Sequence, residues 1–259
     1  MTEQETRAQI AQDLLSAGLR RGGIVLVHSS LSSMGHVPGG AETVVLGLLD
    51  ALGPEGTLLM PALSHLEVTA ARPVFDVRRT PSNVGAITEH FRTRPGTMRS
   101  IHPTHSVCGI GPRAEEMLKN HQNGETPCGP HSPYRELRNR GGQILFLGCG
   151  LKPNTSMHGV EELVEPPYLF GPTLTYKIVL SDGSETKMKS RRHSFRGYSQ
   201  RYDRLGPLLG DGGLKIGKVL RATVHIIDSR PMWEQALAAL KRDPLFFVEK
   251  ASKKTPRWP

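Results

Sequence analysis

The sequence has few cysteines, no long apolar run and a deficit of negative charge. Its 259 residues contain 3 cysteines without CxxC spacing, which argues against a disulfide framework and against a thiolate zinc site. No apolar run approaches the roughly 18 residues that cross a bilayer, and residues 1–19 lack the apolar core of a signal peptide. These absences predict a cytoplasmic protein with no membrane partner.

Motifs of several binding classes are also absent. Neither a GxGxxG nor a P-loop occurs, which argues against dinucleotide and nucleoside-triphosphate binding. The net charge of +9 raises the question of nucleic acid, but no helix-turn-helix, zinc-finger or RNA-recognition signature accompanies it. Much of the excess lies in 187–204 and in the tail 250–259, which we expect to be a frayed end. Two interpretations of 187–204 stay open: a solvated basic face, or a site for a phosphorylated or acidic ligand.

Apolar strands alternate with amphipathic helices along the chain. This rhythm predicts an α/β fold with parallel strand pairs in a central mixed sheet flanked by helices. We expect one domain over 1–259, in which 170–225, containing a hairpin that turns at Asp182-Gly183, is a possible smaller C-terminal subdomain. The predicted strands are 24–27, 56–60, 106–110, 144–147 and 222–229, and the predicted helices are 5–19, 41–53, 83–92, 113–120, 132–138 and 231–241.

The stretch 143–168 carries the strongest signs of chemistry. A buried strand breaks at Gly148-Cys149-Gly150, and a helix that residues 154–156 are suited to cap follows. His158 and Glu161 are three residues apart and therefore share one face of that helix. Such a pair fits a general base with its orienting carboxylate, and it fits a structural helix start equally well.

A hydroxyl-rich loop, 27–35, follows another buried strand and is a second candidate ligand site. In open α/β sheets ligands lie beyond the carboxyl ends of strands, although a serine-rich turn is often only structural. Two further hypotheses are weaker: a metal site of His28, His102 and His105, which no carboxylate cluster accompanies, and Cys149 as a nucleophile without a predicted base.

Taken together and in order, the segments 27–61, 73–85, 99–112, 131–163 and 242–247 resemble the aminoglycoside 3-N-acetyltransferase (antibiotic N-acetyltransferase) family. The resemblance covers most of the chain and is weakest over 187–222. It implies an α/β fold distinct from the common GNAT acetyltransferases. It also implies transfer of an acetyl group from acetyl-CoA to an amine, with no metal.

The resemblance assigns roles residue by residue. His158 matches the catalytic histidine, which would deprotonate the acceptor amine, and Glu161 matches the carboxylate that follows it. The acetyl-CoA contacts implied are Ser29, Ser30, Leu31, Ser32, Arg99, His105, Ser106 and Val107, and the acceptor contacts implied are Asp76 and Glu162. Hydroxyl groups of Ser106 or Thr155 could donate to the oxyanion that forms.

The acceptor is the least determined part of this assignment. Aminoglycosides are polycations, yet the loop 62–81 carries only Glu67 and Asp76, and the region after Tyr168 is rich in arginine and lysine. We therefore expect narrow aminoglycoside activity, or a different small-molecule amine that carries phosphate or carboxylate. Family members are often dimers, so a homodimer is possible. The alternative function is a non-catalytic module that binds a phospholigand or RNA through 187–204.

Overall fold

The computed structural model describes residues 1–251, so the predicted frayed end 250–259 lies outside the described residues except for its first two. The helices are α1 (Glu3–Ser16), α2 (Gly40–Leu52), α3 (Ala86–Thr93), α4 (Ala114–Leu118), α5 (Pro133–Asn139), α6 (Ser156–Glu161), α7 (Leu205–Gly213, broken at Gly210) and α8 (Ser229–Arg242). The strands are β1 (Ile24–Ser29), β2 (Thr57–Pro61), β3 (Val74–Asp76), β4 (Met98–Arg99), β5 (Val107–Ile110), β6 (Gln143–Leu147), β7 (Phe170–Val179), β8 (Glu185–His193), β9 (Tyr198–Gln200), β10 (Leu214–Val219), β11 (Ala222–Asp228) and β12 (Val248–Lys250).

Seven strands form the central sheet, in the order β10-β11-β6-β1-β2-β5-β4. β1 pairs in parallel with both β2 and β6, while the outer strands run antiparallel to their neighbours. The inner strands β2 and β6 are buried along their whole length, as expected for strands that helices cover on both faces. The predicted α/β class with a mixed central sheet is confirmed.

Two apolar cores lie on opposite faces of this sheet. One is built largely from α1, α2 and α3, with Ile10, Val44 and Phe91 among its fully buried side chains. The other is built from α4, α5, α6 and α8 and includes Tyr134 and Trp233. The helix that carries His158 therefore belongs to the second face, and it is packed against α5 and α8.

A smaller sheet combines β3 with the hairpin β7–β8, in the order β3-β7-β8. The predicted hairpin is confirmed, with eight registered residue pairs from Phe170↔His193 to Val179↔Glu185. β10 and the first residues of β11 belong to the central sheet instead, so the range 170–225 is divided between the two sheets. Its status as a subdomain stays a prediction. None of the helices in the described part of the chain is both long and apolar enough to cross a membrane.

Candidate active site

The carboxyl ends of the parallel strands β1, β2 and β6 meet at one edge of the central sheet, where a cleft opens. It contains a cavity of about 200 Å³. Apolar walls come from Val27, Leu63 and Val84, and polar groups from Ser29, Asn154 and His158. This is the position at which ligands of open α/β sheets bind, and it contains both candidate stretches of the sequence.

The glycine corner after β6 allows the two stretches to meet. Gly148 has a φ of 73°, and a Cβ built on it would lie 1.7 Å from the Ser33 hydroxyl oxygen. Only glycine fits both the left-handed backbone and this close approach. The corner therefore packs directly against the serine-rich loop, and residues of that loop and of the start of α6 line the same cleft.

The buried carboxylate of Glu161 orients the His158 ring. Its Nδ1 lies 3.2 Å from Glu161 Oε2 and 2.9 Å from the Tyr202 hydroxyl oxygen. Tyr202 also donates to Glu161 Oε2 (2.8 Å), and Tyr168 donates to Oε1 (2.9 Å). With Nδ1–H directed to these acceptors, Nε2 carries the lone pair. Both side-chain hydrogen bonds of His158 within residues 1–251 use Nδ1, and Nε2 forms none there.

The surroundings keep His158 neutral and the tyrosines protonated. Burial lowers the pKa of His158 below its usual value, although the hydrogen bond to Glu161 acts in the opposite direction. Burial, reinforced by the Glu161 charge, raises the pKa of Tyr168 and of Tyr202. The ring is thus a lone-pair donor near neutral pH, which is the form that a general base needs.

Tyr168 and Tyr202 were not predicted as site residues. Tyr202 lies 44 positions after His158 in the chain, within the basic segment 187–204. It begins a short 3₁₀ helix (Tyr202–Arg204) before α7, and its hydroxyl contacts His158 and Glu161 from there. A tyrosine among arginines carries no periodic or motif signal. Only the fold shows this contact.

A second histidine–carboxylate pair lies beside the first. His193 Nε2 lies 2.8 Å from Glu162 Oε1, and both side chains are 4% exposed. Glu162 also accepts from the Cys128 N–H (2.8 Å) and the Thr126 hydroxyl (2.6 Å). Burial acts to raise the pKa of Glu162, but these three hydrogen bonds and the nearby His193 together hold it below its usual value. The Nδ1 atom of His193 is buried and has no hydrogen-bond partner among the described residues.

Glu162, predicted to contact the acceptor, thus forms hydrogen bonds within the protein through both carboxylate oxygens. Asp76, the other predicted acceptor contact, ends β3 and accepts the backbone N–H groups of Arg78 and Arg79 through Oδ1. Acceptor binding by either residue stays a prediction. His193 is the residue next to Glu162 that sequence reasoning missed.

His105 joins the two pairs. Its Nδ1 lies 2.8 Å from the Thr104 hydroxyl oxygen. Its ring centroid lies 5.7 Å from that of His158 and 5.0 Å from that of His193. Burial, aided by the neighbouring histidines, lowers its pKa well below the usual value. His105 therefore lies against the catalytic candidate, and its contact with acetyl-CoA stays a prediction.

The loop that follows β1 lies at the cleft. Ser29 lines the cavity, and a 3₁₀ helix, Leu31–Met34, begins two residues later. The Ser30 N–H donates to the Leu147 carbonyl (2.9 Å), which ties the loop to β6. The Ser30 and Ser32 hydroxyl oxygens lie 3.2 Å apart. Four predicted cofactor contacts, Ser29 to Ser32, therefore lie on one turn at the mouth of the strands.

The predicted cofactor contacts Arg99, Ser106 and Val107 are engaged within the protein. The Arg99 guanidinium donates to the Ser106 hydroxyl (2.9 Å) and to the Ser64 hydroxyl (2.9 Å), and Ser106 donates to the Ala62 carbonyl (2.8 Å). Val107 is fully buried at the start of β5. These contacts fasten the 62–80 loop to the sheet. A cofactor role for the three residues stays a prediction, and the Ser106 hydroxyl is already used as a donor.

The weaker hypotheses find little support. His28 stacks on Phe146, with ring centroids 5.2 Å apart, while His102 bonds to Ser190 and to backbone N–H groups. Among the described residues, the side chains grouped closely enough to hold a metal are instead His105, His158 and His193, so the set His28, His102 and His105 was wrong. Burial raises the pKa of Cys149 to about 12, which makes its thiol a poor nucleophile.

Several cations of the 187–204 segment have partners in the protein. Arg191 pairs with Glu165 at 3.0 Å and lies over the Phe170 ring. Arg201 pairs with Asp203 and Glu249, and Arg204 donates to backbone carbonyls near the C-terminus. Lys187 and Lys189 are exposed on alternate positions of β8. Several arginines of this segment are therefore engaged in contacts within the protein, which weakens the phospholigand or RNA alternative.

Comparison with known proteins identifies relatives over nearly the whole chain. The model of a family described as aminoglycoside 3-N-acetyltransferase matches residues 26–241. Aminoglycoside N(3)-acetyltransferase IV from Salmonella sp is 32% identical over 248 residues, which cover 93% of this chain and 90% of that protein.

Solved structures show the same fold. A structure of aminoglycoside acetyltransferase AAC(3)-IVa in complex with a gentamicin is similar with a TM-score of 0.80 at 31% identity, over 93% of this chain and 90% of that one. AAC-IIIb with CoASH has a TM-score of 0.79 at 24% identity, over 96% and 98% of the two chains, which is a likeness of fold.

Proposed function

The chain belongs to the aminoglycoside 3-N-acetyltransferase family and is an acetyl-CoA-dependent acyltransferase, and on that premise we propose that His158 is its general base. The observation that carries the proposal is the orientation of one imidazole. Nδ1 is fixed by Glu161 and Tyr202, while Nε2 has no protein partner in the described chain, and the residue lines both the cleft and a smaller cavity beside it.

The cleft has the features that acetyl-CoA binding needs. Its apolar walls suit an extended acyl-bearing arm, and the first turn of the 3₁₀ helix at Leu31 and Ser32 presents backbone N–H groups without intrahelical partners. Bound acetyl-CoA supplies the acetyl group as a reactive thioester. The residues that would hold its arm are Ser29, Ser30, Leu31 and Ser32.

Fixed hydrogen bonds hold His158 in the orientation that a base needs. An ammonium group cannot attack a thioester, so the acceptor must lose a proton, and His158 Nε2 takes it. The imidazolium that results is stabilised by the Glu161 carboxylate on Nδ1. Tyr168 and Tyr202 hold that carboxylate in place, and a fixed base avoids the reorganisation that a mobile one would need.

The test is the variant His158→Ala. We expect turnover to fall by about 10²–10⁴-fold, the usual contribution of a positioned acid–base group, while calorimetry shows acetyl-CoA binding within a few-fold of the wild type. The matched control is His90→Ala, because His90 also pairs with a carboxylate, Glu42 at 2.7 Å, but lies half-exposed away from the cleft. Near-normal turnover of His158→Ala would contradict the proposal.

We propose that the acceptor is an amine of an aminoglycoside or of a related small molecule, and that the range of aminoglycosides used is narrow. The nearby acidic side chains are largely engaged: Glu67 pairs with Arg72, and Asp76 and Glu162 bond within the protein. Few carboxylates then remain for a polycation, whereas exposed lysines line β8. Lys152 also lines the cleft itself, where it suits an acceptor that carries an acidic group as well as its amine.

Free thiol released from acetyl-CoA measures acceptor use directly. We expect slow turnover with most members of an aminoglycoside panel and faster turnover with an amine that bears a phosphate or a carboxylate. Uniformly efficient turnover of the aminoglycoside panel would refute the narrow range while leaving His158 as the base. The oligomeric state stays a prediction.

A further inference from the structure

Three histidines surround a cavity of about 10 Å³ next to the cleft. The ring centroids of His158 and His193 lie 4.8 Å apart, and His105 completes the triangle. One ring nitrogen from each histidine lies within 4.8 Å of one from each of the others. A cavity of this size holds one water molecule or one ion.

The hydrogen bonds leave one nitrogen of each ring for a ligand. Nδ1 of His105 is taken by Thr104, Nδ1 of His158 by Glu161 and Tyr202, and Nε2 of His193 by Glu162. Since the ionised Glu162 can only accept, His193 carries its proton on Nε2. Its buried Nδ1 is then a lone pair to which none of the described residues donates. A buried acceptor of this kind is costly unless something binds it.

We propose that His105, His158 and His193 form an inhibitory Zn²⁺ site, in which Nε2 of His105, Nε2 of His158 and Nδ1 of His193 are the ligands. Three imidazoles with water in the fourth position are an established zinc ligand set. Tetrahedral geometry with Zn–N bonds of 2.0–2.1 Å needs nitrogens about 3.3 Å apart, so small rotations of the rings must draw them together.

The outer groups favour a divalent cation. Metal-bound histidines usually donate their other N–H to a carboxylate or a similar acceptor, and Glu161 and Glu162 already hold His158 and His193 in this way. Two carboxylates therefore lie behind the three histidines, and one cation, Arg192, also lines the cavity. Thr104 supplies the corresponding contact to His105.

Zinc at this site removes the lone pair that takes the acceptor proton. The expected consequence is reversible loss of turnover, because a metal-bound Nε2 cannot act as a base. This consequence rests on the proposed function of His158. The binding of Zn²⁺ does not rest on it.

The experiment titrates metal-free enzyme with ZnCl₂ by calorimetry and follows acetyl transfer in the same samples. We expect one equivalent to bind, turnover to fall in proportion, and EDTA to restore it. His193→Gln keeps an amide N–H donor for Glu162 at the position of Nε2 but has no lone pair at the position of Nδ1, so Zn²⁺ binding should weaken by at least about tenfold, the smallest loss typical even of an outer-shell partner. His90→Gln is the control that should leave binding and inhibition unchanged.

Visible absorption of the Co²⁺-loaded protein supplies a readout that needs no turnover, because tetrahedral Co²⁺ absorbs far more strongly than the hydrated ion. Tight Zn²⁺ binding without inhibition would refute His158 as the base but not the metal site. No binding by wild-type protein, or equal binding by His193→Gln with unfolding profiles alike, would overturn the metal site and leave the proposed function standing.

Discussion

Two adjacent glutamates, Glu161 and Glu162, each hold a histidine, and the two pairs differ in what surrounds them. Glu161 is fully buried behind His158 and accepts from two tyrosine hydroxyls. Glu162 faces His193 and accepts from a threonine hydroxyl and a backbone N–H. The first histidine lines the cleft, whereas the second has its outer nitrogen buried without a partner in the described part of the chain.

If His158 is the base, as proposed, a histidine–carboxylate pair does not by itself define a catalytic residue. In both pairs the carboxylate fixes the tautomer of the ring, through Nδ1 in His158 and through Nε2 in His193. Access to the cleft separates them. We therefore expect damage to the Glu161 pair to appear in turnover and damage to the Glu162 pair to appear in stability.

The largest difference in kcat between the two pairs is expected when each glutamate is replaced by glutamine. Glu161→Gln removes the charge that stabilises the imidazolium, and the loss of a charged hydrogen bond worth about 1.5–3 kcal/mol corresponds to a roughly 10- to 150-fold drop in kcat. Glu162→Gln should leave kcat within a few-fold but lower the free energy of unfolding by about 1–3 kcal/mol. Steady-state kinetics and urea unfolding measure the two effects.

Equal losses of kcat in the two glutamine variants would contradict the expected difference between the two pairs. They would indicate that His193 also takes part in the reaction. Unchanged kcat in Glu161→Gln would show that His158 needs no carboxylate. Both variants keep the side-chain shape, so a folded protein is expected in each case, and circular dichroism checks it.

A smaller difference in kcat is expected when the hydroxyl groups that donate to the two glutamates are removed. Tyr202→Phe removes a donor to Glu161, and Thr126→Val removes a donor of similar geometry to Glu162. Each lost bond is worth about 1 kcal/mol, which amounts to a roughly fivefold fall in kcat if Tyr202 supports the base. Thr126→Val should lose similar stability with kcat unchanged. A kcat in Tyr202→Phe equal to that of the wild type would confine Tyr202 to a structural role.

The inner strands of the sheet were predictable because their signal is local. The runs at 24–27 and 144–147 are continuous and apolar, and 56–60 ends in three apolar residues, as buried parallel strands require. β1, β2 and β6 are found there. β3, β4, β9 and β12 were missed since each has only two or three residues, too few for a period. β10 was missed because its glycine and its largely exposed positions hide the alternation.

Residue spacing alone predicted the candidate site only where its residues are close together in the sequence. His158 and Glu161 are three residues apart on one helix, so spacing alone placed them together. Tyr202 and His193 come from the segment 187–204, which the sequence marked merely as basic, and their hydroxyl and ring reach the site through tertiary packing. Spacing cannot register a contact of this kind.

The position of β6 also constrains how the chain assembles during synthesis. β6 pairs with β1 from the beginning of the chain and with β11 from near its end, for example Phe146 with His28 and His225. Until residues 222–228 have left the ribosome, β6 presents an open apolar edge of the kind that recruits other chains. Contacts of such large sequence separation form slowly. β6, which leads to the helix that carries His158, is thus covered on this edge only when β11 has been made. Until then its edge is open to pairing with other chains.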